Sequence, residues 1–140
     1  MSTLEQLARQ IFDSQPFSVH LGASLESVGP DSAEIALAIT DELTQQHGFA
    51  HGGIISYLAD NAMAFAGGLA LGGDALMAEF KINFVRPAVG GRLIARARTT
   101  ALSKRQAVCR GKVYAVSADG TETLCAVAQG TVVAASNEQQ

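Results

Sequence analysis

The chain has 140 residues, of which 48% are hydrophobic and 16% are charged, and its formal net charge is −3. This length fits a single domain over residues 1–140, and the apolar fraction suffices for a packed core and excludes a disordered chain. The negative net charge argues against nucleic acid as the main partner. The first ten residues carry charges and no apolar run, so we expect no secretion signal and a cytoplasmic protein.

The N-terminal part of the chain is predicted to hold one helix and two strands. Ser2 and Glu5 have the spacing of a helix-capping box, and apolar residues then recur at helical intervals, which predicts a short amphipathic helix over residues 1–14. Residues 21–28 are predicted as a first strand closed by a Gly-Pro turn. Alternation of apolar and polar residues predicts a second strand over residues 33–40.

A long apolar block begins after His51-Gly52-Gly53. Four polar side chains interrupt residues 54–71, namely Ser56, Tyr57, Asp60 and Asn61. About 18 such residues could cross a bilayer, but Asp60, Asn61 and an internal Gly-Gly pair argue against a membrane span. We therefore predict a buried central helix and no membrane partner.

Four strands are predicted after this helix. Alternation up to Pro87 predicts the first, and three more are predicted over residues 92–101, 107–117 and 122–135, the last two joined by an Asp-Gly hairpin turn. Residues 136–140 form a polar tail. A curved antiparallel sheet wrapped around one long central helix accommodates both patterns. This α+β architecture is the hotdog fold.

The two cysteines are predicted to be reduced thiols in the core. With the last hairpin turn centred on the Asp-Gly step, Cys109 is expected opposite Gly130. The same register places Cys125 opposite Tyr114. The two cysteines are therefore not directly opposed, which argues against a disulfide.

Basic residues are concentrated in one part of the chain. Eight of the ten Lys and Arg residues lie between Arg86 and Lys112. A local basic region on an acidic protein suits a small polyanionic ligand better than a polymer. It would equally suit the solvated face of a strand, and the sequence leaves both interpretations open.

Two features of the central helix point to chemistry. Gly52 and Gly53 leave the first backbone N–H groups accessible, and a helix N-terminus favours a developing oxyanion; the pair would also permit a tight turn. Asp60 lies in an apolar run, where a carboxylate is costly unless paired or hydrated. It either caps a loop or acts as nucleophile or general base beside an apolar pocket. Asn61 is either a substrate contact or a buried hydrogen-bonding group.

The spacing of Gly52 and Asp60 predicts that two chains build the site. Eight helical residues separate the two by about 12 Å, whereas groups that act on one carbonyl must come within about 3–3.5 Å of it. If both act on the same carbonyl, they come from different chains. The sequence therefore predicts a homodimer with shared active sites.

These residues resemble the signature of PaaI-type hotdog thioesterases, in the 4-hydroxybenzoyl-CoA thioesterase superfamily. His51-Gly52-Gly53 is followed by Asp60 nine residues after the histidine, and Phe84-Val85-Arg86-Pro87-Ala88 with Gly90-Gly91 resembles the end of the family's third strand. The resemblance covers about residues 18–135. It implies an acyl-CoA thioesterase for which coenzyme A is part of the substrate and no other cofactor is needed. It also implies a homotetramer built from two dimers.

The resemblance assigns the catalytic roles to two residues. The backbone N–H of Gly52 would polarise the thioester carbonyl, and Asp60 of the other chain would attack its carbon or activate water against it. Some relatives support this acid with a nearby hydroxyl, but the matching positions here are Ala64 and either Met77 or Ala78. The choice between nucleophile and general base therefore stays open.

The resemblance also assigns supporting roles. Gln45 matches an amide side chain that binds the carbonyl or positions water, and Gln46 and His47 compete for that role. His51 is expected to order the loop by hydrogen bonding. The predicted substrate-binding set is His51, Gly53, Asn61, Gln46 and His47.

The coenzyme A phosphates are assigned to cations outside the motif. Arg86 and the turn Ser103-Lys104-Arg105 are the candidates, because clustered cations suit phosphate oxygens. Ordinary surface charge is an equally good explanation for each.

Other interpretations use the same residues. His47 and His51 straddle a loop with no third ligand evident, so no metal site is predicted. A hotdog dehydratase or hydratase would need His51 paired with Asp60, whereas a non-catalytic acyl-CoA-binding module would need no buried acid. Aryl, phenylacetyl and medium-chain acyl groups all suit the apolar side chains, and the sequence does not choose among them.

Overall fold

The computed structural model describes residues 3–135. In chain order its elements are α1 (Thr3–Asp13), α2 (Pro16–Leu21), β1 (Ser24–Val28), β2 (Ser32–Ala38), α3 (Gly52–Leu71), β3 (Ala75–Phe84), β4 (Arg92–Leu102), β5 (Gln106–Val116) and β6 (Glu122–Ala134). A 3-10 turn, Asp41–Leu43, follows β2. Ser2 of the predicted capping box and the predicted tail over residues 136–140 lie outside the described residues.

The strands form one antiparallel sheet in the order β1-β2-β4-β5-β6-β3. α3 contacts five of them, from β2 to β3 across the sheet. Five strands span about 19 Å at the usual strand spacing, whereas a helix is about 10 Å wide. The sheet must therefore curve around the helix, which confirms the predicted α+β architecture.

Residues without side chains let α3 lie close to the sheet. A Cβ at Gly67 would come within 2.6–2.9 Å of three side-chain atoms of Val132 on β6, and a Cβ at Gly111 on β5 would lie 3.3 Å from the Met63 side chain. Met63 and Val132 are themselves fully buried. This fit sets the height and the rotation of the helix, and so decides which of its residues face away from the sheet.

The apolar composition of α3 is explained by its position in the core. Within residues 3–135 it is the one helix whose length and composition would suit a membrane span, and half of that span is buried inside the protein. Leu58, Ala62 and Leu69 are among its buried residues, whereas Asp60 and Asn61 are half-buried on the open side. This arrangement is that of the predicted core helix.

The N-terminal region contains a helix that the sequence patterns did not predict. The strand expected over residues 21–28 is wrong at its start, because Leu21 ends α2 and β1 begins only at Ser24. Pro16 occupies the first turn of α2, where its fixed φ and missing N–H are compatible with a helix. Gly22 ends α2 with a φ of 73°. Six residues are too few to show a helical period in the sequence.

The two cysteines are buried and free, as predicted. Cys109 pairs with Gly130 as expected, but the prediction for Cys125 is wrong. A register shift in β5 makes Tyr114 the partner of Leu124 instead, so Cys125 lies at a bulge. Burial raises the pKa of both thiols.

We expect Gly67→Ala to destabilise the protein by about 1–3 kcal/mol, because the added methyl overlaps Val132 in a packed core. Adding Val132→Ala should restore part of the loss. Gly73→Ala is the matched control, since its Cβ would meet nothing within 4 Å. Urea denaturation measures all four proteins, and equal midpoints for Gly67→Ala and Gly73→Ala would contradict the close approach.

Candidate active site

The loop before α3 is held by its own hydrogen bonds. Thr44 forms a bridge with Ala50, and a turn closes where the Gly48 N–H donates to the Gln45 carbonyl. The Gln45 side-chain oxygen accepts from the backbone N–H of His47 at 2.6 Å and of Phe49 at 3.3 Å. Its amide oxygen is thus occupied within the loop, and its amide N–H₂ is the part that can still donate to a carbonyl.

The neighbouring candidates in this loop are more exposed. Gln46 and His47 are both exposed. The His47 ring lies beside Phe49, with ring centroids 6.3 Å apart. Neither side chain is fixed by a hydrogen bond to the described residues, so Gln45 is the best positioned of the three side chains.

His51 organises the start of α3. Its Nδ1 accepts a hydrogen bond of 2.7 Å from the Gly53 N–H, and its backbone carbonyl accepts from Ile54 and Ile55. Three of the first four helix N–H groups are thereby occupied. Among the described residues the Gly52 N–H has no acceptor. Gly53 was predicted as a substrate contact, but its N–H is not available to a carbonyl.

An aromatic ring stands beside the free N–H of Gly52. A Cβ built at Gly52 would lie 3.4 Å from the Phe84 ring, and Phe84 is itself 53% exposed at the end of β3. A ligand at the Gly52 N–H would therefore meet an apolar wall on one side. The sequence placed Phe84 in the family resemblance but gave it no role at the site.

Asp60 lies two turns further along the open side of α3. Burial raises the pKa of this carboxyl, and the carboxylate makes no hydrogen bond or ion pair with any residue that the structure describes. Its neighbour one turn on is Ala64, which offers no hydroxyl. An unpaired carboxylate with a raised pKa is a stronger base than an exposed one, as general-base or nucleophilic catalysis requires.

Within one chain the two candidate groups are too far apart to share a carbonyl. Gly52 and Asp60 belong to the same unbroken helix, so about 12 Å separates them along its axis. His51 and Asp60 are about 13 Å apart on the same basis. The His-carboxylate pair of a dehydratase is therefore not formed within a single chain.

Asn61 belongs to a polar cluster that joins α3 to the N-terminal helices. Its amide exchanges two hydrogen bonds with the Gln15 amide, at 2.9 and 3.3 Å. Ser18, which is 1% exposed, donates to Gln15 at 2.6 Å and also bonds to the Tyr57 hydroxyl. Of the two predicted roles, the structure shows the hydrogen-bonding one. Sequence reasoning missed the partners, because 46 residues separate Gln15 from Asn61.

The predicted phosphate ligands lie at opposite ends of α3. Arg86 follows β3 near the start of the helix, and its Nη1 donates to the Leu124 carbonyl at 3.0 Å. The Ser103-Lys104-Arg105 turn lies near the other end, where the Arg105 carbonyl accepts from Ala134 and the Ser103 hydroxyl donates to Gln106. Within one chain these cations do not form a single cluster.

His47 and His51 are the two histidines that could be taken for metal ligands. In the described part of the chain no three His, Cys, Asp or Glu side chains are grouped as metal ligands. The Nδ1 of His51 is already an acceptor for the helix start.

Known proteins are similar to this chain in sequence and in fold. The family model of the Thioesterase superfamily matches residues 47–121. A Deinococcus radiodurans protein named "Putative esterase" is 33% identical over 102 residues, or 72% of this chain and 68% of the relative. A thioesterase family protein from Silicibacter pomeroyi has a TM-score of 0.87 and 34% identity, covering 93% of this chain and 96% of that one. A mutant of the phenylacetic acid degradation protein PaaI from Thermus thermophilus has a TM-score of 0.75 and 31% identity, covering 86% of this chain and 100% of that one.

An antiparallel sheet wrapped around one long central helix is the hotdog fold of thioesterases. The chain belongs to the Thioesterase superfamily. It is therefore a thioester hydrolase.

We expect Asp60→Asn to stabilise the protein at pH 7. A carboxyl whose pKa is raised by folding binds its proton more tightly in the folded state, so stability falls as pH rises from the ordinary value of 3.8 through the folded pKa. The asparagine variant does not ionise, so it does not lose stability as the pH rises. Its melting temperature should exceed that of the wild type at pH 7, and the difference should shrink towards pH 4.

Asp119→Asn is the control, because the expected change in stability at pH 7 has the opposite sign. Hydrogen bonds from the Ser117 hydroxyl and from Thr121 lower the pKa of exposed Asp119 to about 2, so its ionised form stabilises the fold above that pH. This variant should melt at or below the wild-type temperature at pH 7. An Asp60→Asn protein that melts below the wild type at pH 7 would contradict the burial cost.

Proposed function

We propose that this thioester hydrolase is an acyl-CoA thioesterase that releases CoA and a free aryl, phenylacetyl or medium-chain acid. The observation that carries the proposal is the single free N–H of Gly52 at the start of the helix that also holds Asp60. One backbone donor suits the oxygen of a thioester carbonyl, and the unpaired acid suits attack on its carbon. The PaaI likeness extends the proposal to aryl-acetyl groups.

In this proposal the carbonyl oxygen accepts from the Gly52 N–H of one chain, and the partner's Asp60 faces the carbonyl carbon. As a base, the carboxylate takes a proton from water while the water oxygen bonds to the carbon. As a nucleophile, it forms a mixed anhydride that water then opens. In both routes the C–S bond breaks, and the CoA thiolate leaves and takes up a proton.

A two-fold axis at Ser56 would bring these groups together. In two antiparallel copies of α3, residues equally far from the axis on opposite sides lie level with each other. Ser56 is four residues from Gly52 and four from Asp60, so the axis there aligns Gly52 with the partner's Asp60 and forms both sites at once. Ser56 is small and half-buried on the open side, which permits close approach.

β3 offers the surface for this dimer. It is an edge strand of ten residues, bonded only to β6 among the described strands. Leu76 and Phe84 on it are 64% and 53% exposed, and an exposed apolar edge strand is a pairing surface. Because the Phe84 ring lies 3.4 Å from where a Cβ of Gly52 would be, a partner at this edge would lie close to the free N–H.

The proposal includes three further expectations. Two such dimers associate into a homotetramer. Hydrolysis uses water and the CoA ester alone, so we propose no cofactor. The two free buried thiols suit a reducing compartment, and we propose the cytoplasm.

The direct test is CoA release from a panel of benzoyl-CoA, phenylacetyl-CoA and octanoyl-CoA. We expect turnover by the wild type and a loss of about 10²–10⁴-fold in kcat for Asp60→Asn, because the reacting carboxylate is gone. Calorimetry of the variant should still show CoA-ester binding. Unchanged turnover in Asp60→Asn would refute the catalytic role.

Gly52→Pro should delete the donor without breaking the helix. Proline is favoured at the first helical position, and His51 already has the extended backbone, with φ −64° and ψ 139°, that must precede a proline. We expect about 10²–10³-fold lower kcat, the usual effect of removing one oxyanion donor. Gly52→Ala keeps the N–H and adds the same Cβ beside Phe84, so it should retain most activity.

Coexpression of Gly52→Pro with Asp60→Asn tests whether the site is shared. A mixed dimer contains one site with both groups intact and one with neither. Random pairing of two inactive chains should therefore restore about a quarter of the wild-type activity. If each chain held its own complete site, the mixture would stay inactive.

A further inference from the structure

A basic depression lies on the outer face of the sheet, opposite α3. Gly111 of β5 faces Met63 of the helix. Because successive side chains of a strand point to opposite faces, its neighbours Arg110 and Lys112 point outward. Together with Lys81 of β3 they line an open depression of about 320 Å³. The sheet therefore separates this basic depression from the candidate catalytic groups on α3.

The strand register places a fourth cation beside the depression. Arg98 of β4 is the cross-strand partner of Arg110, and Gln129 of β6 is the partner of both Arg110 and Lys81. Neighbouring strands are about 4.8 Å apart, so this row spans about 14 Å from Arg98 to Lys81. Lys112 is two residues from Arg110, or about 7 Å along the strand. Four cations thus occupy one small area of the outer face.

These four cations have no acidic partner. Among the described residues none of them forms an ion pair, and the ion pairs of the sheet use Arg92 and Arg96 instead. Glu79, the one acid on β3, accepts a hydrogen bond of 2.6 Å from the Thr131 hydroxyl. Like charges directly across two strands destabilise a sheet. The repulsion between Arg98 and Arg110 is therefore not compensated within the described chain, and a bound anion would relieve it.

The Arg110 guanidinium is already positioned for such an anion. Its Nε donates to the Gln129 side-chain oxygen at 2.9 Å, and its two Nη groups have no acceptor among the described residues. A guanidinium held in this way presents a planar pair of donors that matches two phosphate oxygens. The amide of Asn83 also lines the depression, whereas no carboxylate does. The lining therefore favours an anion.

The size and the surroundings of the depression favour a small ligand. A protein cavity of about 150 Å³ accepts benzene, and this volume is about twice that, which is room for a diphosphate. Two phosphate groups carry about −3 to −4 at pH 7, which the local cations balance. On the neighbouring part of the outer face Arg96 holds Glu34 and Glu122. These acids would repel an extended polyanion or an anionic membrane.

We propose that the basic depression is a second binding site, separate from the active site, for a small ligand with two or more phosphate groups. Arg110 binds one phosphate through its two free Nη groups, and Lys81 and Lys112 bind the outer oxygens on either side. A second copy of this chain is a poorer occupant, since a copy docked by the same surface would bring the same cations.

Calorimetry with inorganic pyrophosphate at low salt tests the site. We expect wild-type binding, and a Kd about 10-fold or more higher for Arg110→Gln and for Lys112→Gln, because each variant loses a hydrogen bond to a charged group. Arg92→Gln is the matched control. It removes the same charge from the outer face about 13 Å along the strands, and it should bind like the wild type. Equal Kd values for Arg110→Gln and Arg92→Gln, or no binding to the wild type, would overturn the proposal.

Thermal melting separates a lost ligand from a lost fold. Without ligand, Arg110→Gln should melt at or above the wild-type temperature, because the repulsion with Arg98 is gone. Pyrophosphate should raise the Tm of the wild type and of Arg92→Gln, since a ligand that binds the folded state stabilises it. It should leave Arg110→Gln unchanged. A rise of the same size in all three proteins would overturn the site.

Competition identifies the source of the phosphates. In the Asp60→Asn variant, pyrophosphate should bind with the same Kd in the presence and in the absence of octanoyl-CoA. Displacement of one by the other would overturn the proposal, because the depression would then hold the phosphates of the substrate itself. Binding to phosphatidylserine vesicles that pyrophosphate does not displace would also overturn it, in favour of a lipid surface.

Discussion

The packing of α3 on β5 and β6 is the contact on which the site depends. Because Gly67 and Gly111 have no Cβ, the helix and the sheet approach closely enough for Val132 and Met63 to fill the space between them. This fit fixes the rotation of the helix, and the rotation places Asp60 on the open side. If the helix were rotated by half a turn about its own axis, the carboxylate would lie in the apolar core. Its ionisation there would cost free energy, and no substrate could reach it.

The same unbroken helix also separates the two groups that we propose act on the carbonyl, the Gly52 N–H and Asp60. A backbone N–H can polarise a substrate carbonyl only if no group of the chain accepts its hydrogen bond. His51 accepts from three of the first four N–H groups of α3, and the Gly52 N–H is the one that stays free among the described residues. The acid two turns later cannot fold back to the same point. In the proposed function this separation requires a symmetric assembly, in which each helix contributes its N-terminus to one site and its Asp60 to the other.

Much of this arrangement could be predicted from sequence, and the misses have physical causes. The period of the strands and the unbroken apolar helix fix the architecture, and the shared site inferred from the spacing of Gly52 and Asp60 stays a prediction. The six residues of α2 show no period. The amide pair of Gln15 with Asn61 and the contact of Phe84 with Gly52 join distant parts of the chain, and no local pattern marks such contacts before the fold is known.

The groups proposed to act on the carbonyl both lie on α3, whereas α1 supplies only one wall of an open apolar cavity beside that helix. The proposed oxyanion donor is a backbone group, so no side-chain change at Gly52 short of proline would remove it. α1 is held by a short list of contacts near its C-terminal end. Substitutions at the exposed Leu7 or Ile11 should therefore reshape the cavity while the packing of α3, and with it the position of Asp60, stays as it is. The sequence of the N-terminal helix can therefore vary without moving the groups on α3.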